Sequence, residues 1–218
     1  MSIVFDEQQR TLTLHTKNTT YQMKIDRCDF LRHLYYGRRL TGSDMSYIHM
    51  NFDRAFSGNP SDVFPDRTFS TDAMSREYSE YGTGDFRINS IMAVNEDGSM
   101  GADLRYLSHE IREGKYAIEG LPACYDNGNE AKTLVITVRD RVTGLTAELY
   151  YGVFEEKDVI TRCVKFINNG EGTIHLKKAA SLCMDLPYGK WDMIHFHGKH
   201  ALERQPERER LLHLVKSV

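Results

Sequence analysis

Apolar and polar positions alternate with a period of two along much of the chain, the pattern of strands with one buried face. Leu145, Ala147, Leu149, Tyr151 and Val153 fall on one face, and Thr146, Glu148 and Tyr150 on the other. Leu134, Ile136 and Val138 alternate likewise, as do Ile174, Leu176, Lys178, Ala180, Leu182 and Met184. Turn-forming stretches at 140–144, 155–158 and 168–172 separate these runs at hairpin spacing, which predicts an antiparallel meander. Further strands are predicted over 11–15, 21–25 and 30–36. The best helical candidate is 200–214, interrupted by Pro206 and carrying the charge run ERQPERER.

Between residues 41 and 89 the alternation gives way to glycine, proline, serine and aspartate. A connection that long inside a compact domain usually carries function. Its end, REYSEYGTGDFRIN (76–89), crowds Arg76, Glu77, Tyr78, Tyr81, Asp85 and Arg87 around Gly82 and Gly84. A dinucleotide loop needs a third glycine and a following helix, and Arg87 occupies the third glycine's place. The two glycines instead suit tight turns with positive φ, leaving Arg76, Asp85 and Arg87 to make fixed hydrogen bonds or ion pairs.

The 218 residues suffice for one large all-β domain without a metal or disulfide staple. With 28 basic and 31 acidic residues the formal net charge is −3, which argues against a nucleic-acid partner. Cys28, Cys124, Cys163 and Cys183 are widely separated and are expected to be buried free thiols in a reducing compartment. No basic, apolar leader opens the sequence and no apolar run is long enough to span a membrane. The expected location is the cytoplasm, with no membrane partner.

Two stretches invite catalytic or metal chemistry. His195 and His197 share a strand face and two imidazoles there can ligate a metal, but spacing names no third ligand, so no metal and no cofactor is expected. Lys190-Trp191-Asp192 would suit a glycosidase nucleophile beside an aromatic sugar platform. A retaining reaction needs a second carboxyl about 5 Å away, and Asp185, the nearest in sequence, is an odd number of residues off.

LYYGRRL (34–40), FDRAFSGNP (52–60), TFSTDAMSREYSEYGTGDFR (68–87), GLPACY (120–125) and DMIHFHGKHALER (192–204) together resemble the N-terminal domain of the bacterial α-galactosidases of glycoside hydrolase family 36. The resemblance runs in order over nearly the whole chain. It implies an all-β, large antiparallel β-supersandwich of the galactose mutarotase type spanning 1–218. It also implies a catalytic (β/α)₈ barrel outside this chain, so that no catalytic residue is expected here and Lys190-Trp191-Asp192 is a coincidence. The family implies retaining hydrolysis of terminal α-galactosyl groups, as in melibiose and raffinose, by a homo-oligomer, often a tetramer. Asp53 matches a loop that approaches the non-galactose end of the substrate, and Trp191 is expected to contact substrate similarly. The 76–87 cluster is then expected to brace a loop against the barrel or a neighbouring subunit. An independent carbohydrate-binding module remains an alternative. A mutarotase-like epimerase, which would need a general acid and base such as a His and Glu pair, is another.

Overall fold

The computed structural model describes residues 1–49, 51, 53, 58–184 and 190–211. The chain divides into two compact units, residues 1–185 and 186–218.

The first unit is built on two four-stranded antiparallel meanders. β1 (Ile3–Asp6), β2 (Thr11–His15), β3 (Thr19–Ile25) and β4 (Leu31–Arg38) form one sheet in sequence order. After β5 (Ile91–Val94), the strands β6 (Leu104–Glu113), β7 (Ala131–Asp140), β8 (Leu145–Phe154) and β9 (Val159–Asn168) form the other, again in sequence order. β10 (His175–Ala179) pairs with β5. The inward residues of both sheets share one core. Leu12, Leu14, Tyr21, Met23 and Ile25 come from the first sheet, and Leu134, Ile136, Val138, Leu145, Ala147, Leu149, Tyr151 and Val153 from the second. Two sheets that each bury one face in a common core are a sandwich, so the all-β antiparallel expectation holds.

β2, β7 and β8 fall where the alternation places them. β10 is shorter than the expected 174–184 run. Among its described residues the 41–89 connection holds 3-10 turns at Ser46–Ile48, Ser61–Val63 and Thr71–Ala73 and isolated bridges of Arg76 to Arg32 and of Glu80 to Ile91.

The second unit is a hairpin of β11 (Trp191–Lys199) and β12 (Leu202–Leu211). β12 corrects the helical expectation for 200–214. Pro206 sits in the middle of the strand, opposite Phe196, and lacks only an amide donor that an edge strand can spare. A second correction concerns the cysteines: all four are free but none is buried, Cys28, Cys163 and Cys183 being half-buried and Cys124 exposed in the 114–130 connection between β6 and β7.

Candidate functional site

Residues 75–77 run antiparallel to β4, with His33 N donating to Ser75 O at 2.9 Å and Glu77 N to Leu31 O at 3.0 Å. This extended path sends successive side chains to opposite sides, so Glu77 and its neighbours Arg76 and Glu80 serve different networks.

Glu77 enters the core. Tyr21 on β3 donates its hydroxyl to the carboxylate at 2.7 Å, and Tyr151 on β8 does so at 2.7 Å. Arg162 Nη1 on β9 lies 2.6 Å from Oε1, and His33 Nδ1 lies 3.2 Å from Oε2. The Arg162 guanidinium also covers the Tyr151 ring at 4.5 Å. Burial works against the Glu77 anion, yet Arg162, His33 and Tyr21 together hold its carboxyl below the usual range. Burial, with the carboxylate alongside, pushes both phenols well above theirs. One carboxylate supplied by the loop thus satisfies donors from both sheets.

The second network pins the loop. Arg76 Nη2 pairs with Glu80 at 2.7 Å, with both side chains buried, and Thr83 Oγ1 donates to Glu80 at 3.2 Å. Burial pushes the Glu80 carboxyl up to about 7 against the pull of Arg76. Arg87 grips Asp85 through Nε at 2.9 Å and Nη2 at 2.8 Å, and Nη2 also donates to the carbonyl of Met74. Thr71 Oγ1 donates to the carbonyl of Thr83 at 2.7 Å. Gly82 has a φ of +107°, and a Cβ there would meet Gly101 Cα at 2.6 Å. The turn therefore needs glycine both for its backbone and for its space.

Four further contacts hold the earlier part of the connection. Gln22 accepts from Met45 N at 2.9 Å, and Lys24 reaches Ser46 at 2.7 Å. The His49 ring contacts the carbonyl of His33 at 2.8 Å, and burial beside Arg32 drives its pKa down to about 4, so the ring is a neutral donor. Arg105 on β6 pairs with Asp62 at 3.0 Å, donates to the carbonyl of Cys28, and lies 3.7 Å from the centre of the Phe30 ring.

The expected roles in 76–87 are thereby redistributed. Arg76, Asp85 and Arg87 tie the loop to itself through Glu80, Thr83 and Met74, with the Arg76 guanidinium also over the Phe30 ring, whereas Phe86, 85% exposed, and the less exposed Tyr81 and Ile88 face outward. Glu77 and Glu80 are sealed from solvent, so their chemistry is structural.

Asp53 is exposed, with Arg67 Nη2 at 3.4 Å from its carboxylate. Phe52 and residues 54–57 of the same motif lie outside the described residues, as does Asp185. Trp191 belongs to the second unit, where it opens β11 half-buried, opposite Leu211. Asp192 accepts from Arg208 Nε at 2.9 Å. His195 and His197 do share a face, and Glu207 of β12 lies on it with them.

Sequence reasoning overlooked Glu77 as an interior charge and overlooked Arg162 altogether. The one local signal for Arg162 is a cation within the apolar run of VITRCVKF, at a position that pairs with Tyr151 across the β8–β9 ladder.

Known proteins agree with this architecture. The bifunctional alpha-galactosidase/sucrose kinase AgaSK of Mediterraneibacter gnavus is 46% identical over 98% of this chain, which spans 23% of that protein. Alpha-galactosidase AgaA of Geobacillus stearothermophilus is 37% identical over 100% of the chain and 30% of its own length. The solved galactosidase domain of AgaSK superposes with a TM-score of 0.91, at 46% identity, covering 96% of this chain and 29% of that one. A variant of AgaA solved in complex with raffinose gives 0.86 at 37% identity, with 93% and 28% covered. The chain thus spans about a quarter to a third of the length of these relatives. Residues 29–216 match the glycosyl hydrolase family 36 N-terminal domain, and the chain belongs to that family.

Proposed function

We propose that this chain is the non-catalytic N-terminal domain of a retaining α-galactosidase acting on terminal α-galactosyl groups of the melibiose and raffinose type. Both catalytic carboxylates would lie in a (β/α)₈ barrel outside residues 1–218. The domain's part is to present the 41–89 loop to the substrate and to contribute surface for oligomer assembly. The observation that carries this reading is the investment of buried charge in holding that loop: Arg76, Glu80, Asp85, Arg87 and Arg105 all serve it. A loop of no consequence would not need five charged anchors. Asp53, exposed on this braced loop, is the substrate-contacting residue, with Trp191 as a second contact from the hairpin. The relative solved with raffinose supports the substrate class. The widely spaced cysteines support a reducing compartment, and we place the protein in the cytoplasm.

The test is Asp53→Ala in the longer enzyme. KM for raffinose should rise several-fold while turnover of an aryl α-galactoside, which lacks the extended sugar, stays unchanged. Equal KM for raffinose in both proteins would sink the assignment. Hydrolysis of the aryl substrate by the 218-residue chain alone would overturn the non-catalytic reading.

A further inference from the structure

We infer that the β11–β12 hairpin carries a binding site for a divalent transition-metal ion, of which zinc is the natural occupant, made by His195, His197 and Glu207. This goes beyond the proposed function and rests on none of it. The sequence alone offers two imidazoles on one strand face and no third ligand. The strand register supplies the third: His195 pairs directly with Glu207 across the hairpin, and His197 lies two residues along on the same face.

The distances suit an ion. His195 Nε2 lies 3.6 Å and His197 Nδ1 3.5 Å from the same Glu207 oxygen, Oε2. All three ligand atoms fall within 4.8 Å of one another. Tetrahedral zinc with ligands at about 2.0–2.1 Å keeps neighbouring ligand atoms roughly 3.3–3.5 Å apart. The 3.5 Å edge matches, the 3.6 Å edge is about 0.1 Å longer, and the third lies within 4.8 Å, so small side-chain adjustments complete the site. A second carboxylate, Glu209 Oε1, stands 3.6 Å from His195 Nε2 and adds negative charge beside the site. Two imidazoles with one carboxylate form an N/O ligand set that suits zinc and leaves a fourth position for water.

Ordinary cross-strand ion pairing between protonated histidines and Glu207 is the competing account. Such pairing requires charged imidazoles, whereas a metal requires neutral ones, so the two respond oppositely to added ion.

The single tryptophan provides a reporter. Trp191 lies on the same β11 face as His195, four residues away, or about 13 Å along the strand. Cobalt(II), a paramagnetic stand-in for zinc, should quench Trp191 fluorescence in the 218-residue chain with one equivalent and micromolar affinity, and zinc should reverse the quenching. His197→Ala and Glu207→Gln should each weaken binding at least tenfold, while His175→Ala on β10 should not. Far-ultraviolet circular dichroism checks that each variant is folded; Glu207→Gln alone carries the test if His197→Ala is not. Absence of saturable quenching at millimolar cobalt, or saturable quenching that survives both hairpin variants, would overturn the site.

Discussion

Glu77 and Arg162 stand 85 residues apart in sequence and 2.6 Å apart in space, a loop carboxylate and a strand guanidinium meeting in the interior of the sandwich. Neither side chain is appreciably exposed, 0% for Glu77 and 8% for Arg162. Removing one member of a buried pair leaves the other charge without compensation, which costs about 3–5 kcal/mol. Glu77→Gln should therefore lower the urea-unfolding free energy by roughly that amount. Glu77→Gln with Arg162→Met should recover part of it, because the double change leaves no stranded charge. A single variant within about 0.5 kcal/mol of the parent would contradict the structure, since that is the range of ordinary surface substitutions.

Glu77 and Glu80 should oppose each other as pH changes. The Glu77 carboxyl titrates lower in the folded protein than in the unfolded chain, so its contribution is present above the unfolded carboxylate range and is lost on acidification. The Glu80 carboxyl is raised to about 7, so its contribution is full below the unfolded value and declines as pH rises from there toward 7. Glu80→Gln should flatten the fall in stability between about pH 5 and 8, a difference on the order of 2–3 kcal/mol. Denaturation midpoints at the two pH values give the slope, and an unchanged slope in the variant would refute the assignment to Glu80.

Gly82 and Gly98 separate backbone strain from crowding. Both have positive φ, +107° and +81°, but a Cβ at Gly98 meets nothing within 4 Å whereas at Gly82 it meets the Gly101 backbone at 2.6 Å. Gly98→Ala should cost about 1–2 kcal/mol, the left-handed penalty alone. Gly82→Ala should cost clearly more. Thermal unfolding of the two variants side by side makes the comparison, and equal losses would mean the 82–101 contact is dispensable.

Arg105→Ala should loosen the loop while sparing the sheets. It removes the ion pairs to Asp62 and Asp103, the bond to the Cys28 carbonyl and the guanidinium over Phe30. Amide exchange should quicken over 58–75 and remain slow in β7 and β8. Faster exchange throughout both sheets would instead make Arg105 a residue of global stability.

The strands most legible in the sequence are those with one clean buried face. β8 alternates along its length, and the alternation marks its boundaries nearly intact. β9 is not legible, because VITRCVKFIN is half-buried on most of its positions and its polar residues obscure the period. β12 reads as a charged helix fragment, since its strand character comes from pairing with β11 rather than from its own pattern. The fixed ion pairs of Arg76, Asp85 and Arg87 are legible from the residues of the 76–87 cluster. The partners of Glu77 are not, because it meets Tyr21, Tyr151 and Arg162 only after two separate meanders have closed on each other. Glu207 was hidden for the same reason: a hairpin register, not a spacing, brings it to His195.

The crossing of loop and sheet charges at Glu77 limits how related domains can exchange sequence. A recombinant that inherits Glu77 from one parent and β9 from another lacking Arg162 would bury an anion without its cation, and the reverse exchange would bury the cation alone. Segment 75–87, β3 with β4, β8 and β9 must therefore descend together as one linkage group although they are scattered over most of the chain. Crossovers that keep those four pieces from a single parent leave the interior charges matched, and chimeric libraries built from this family should be enriched in them.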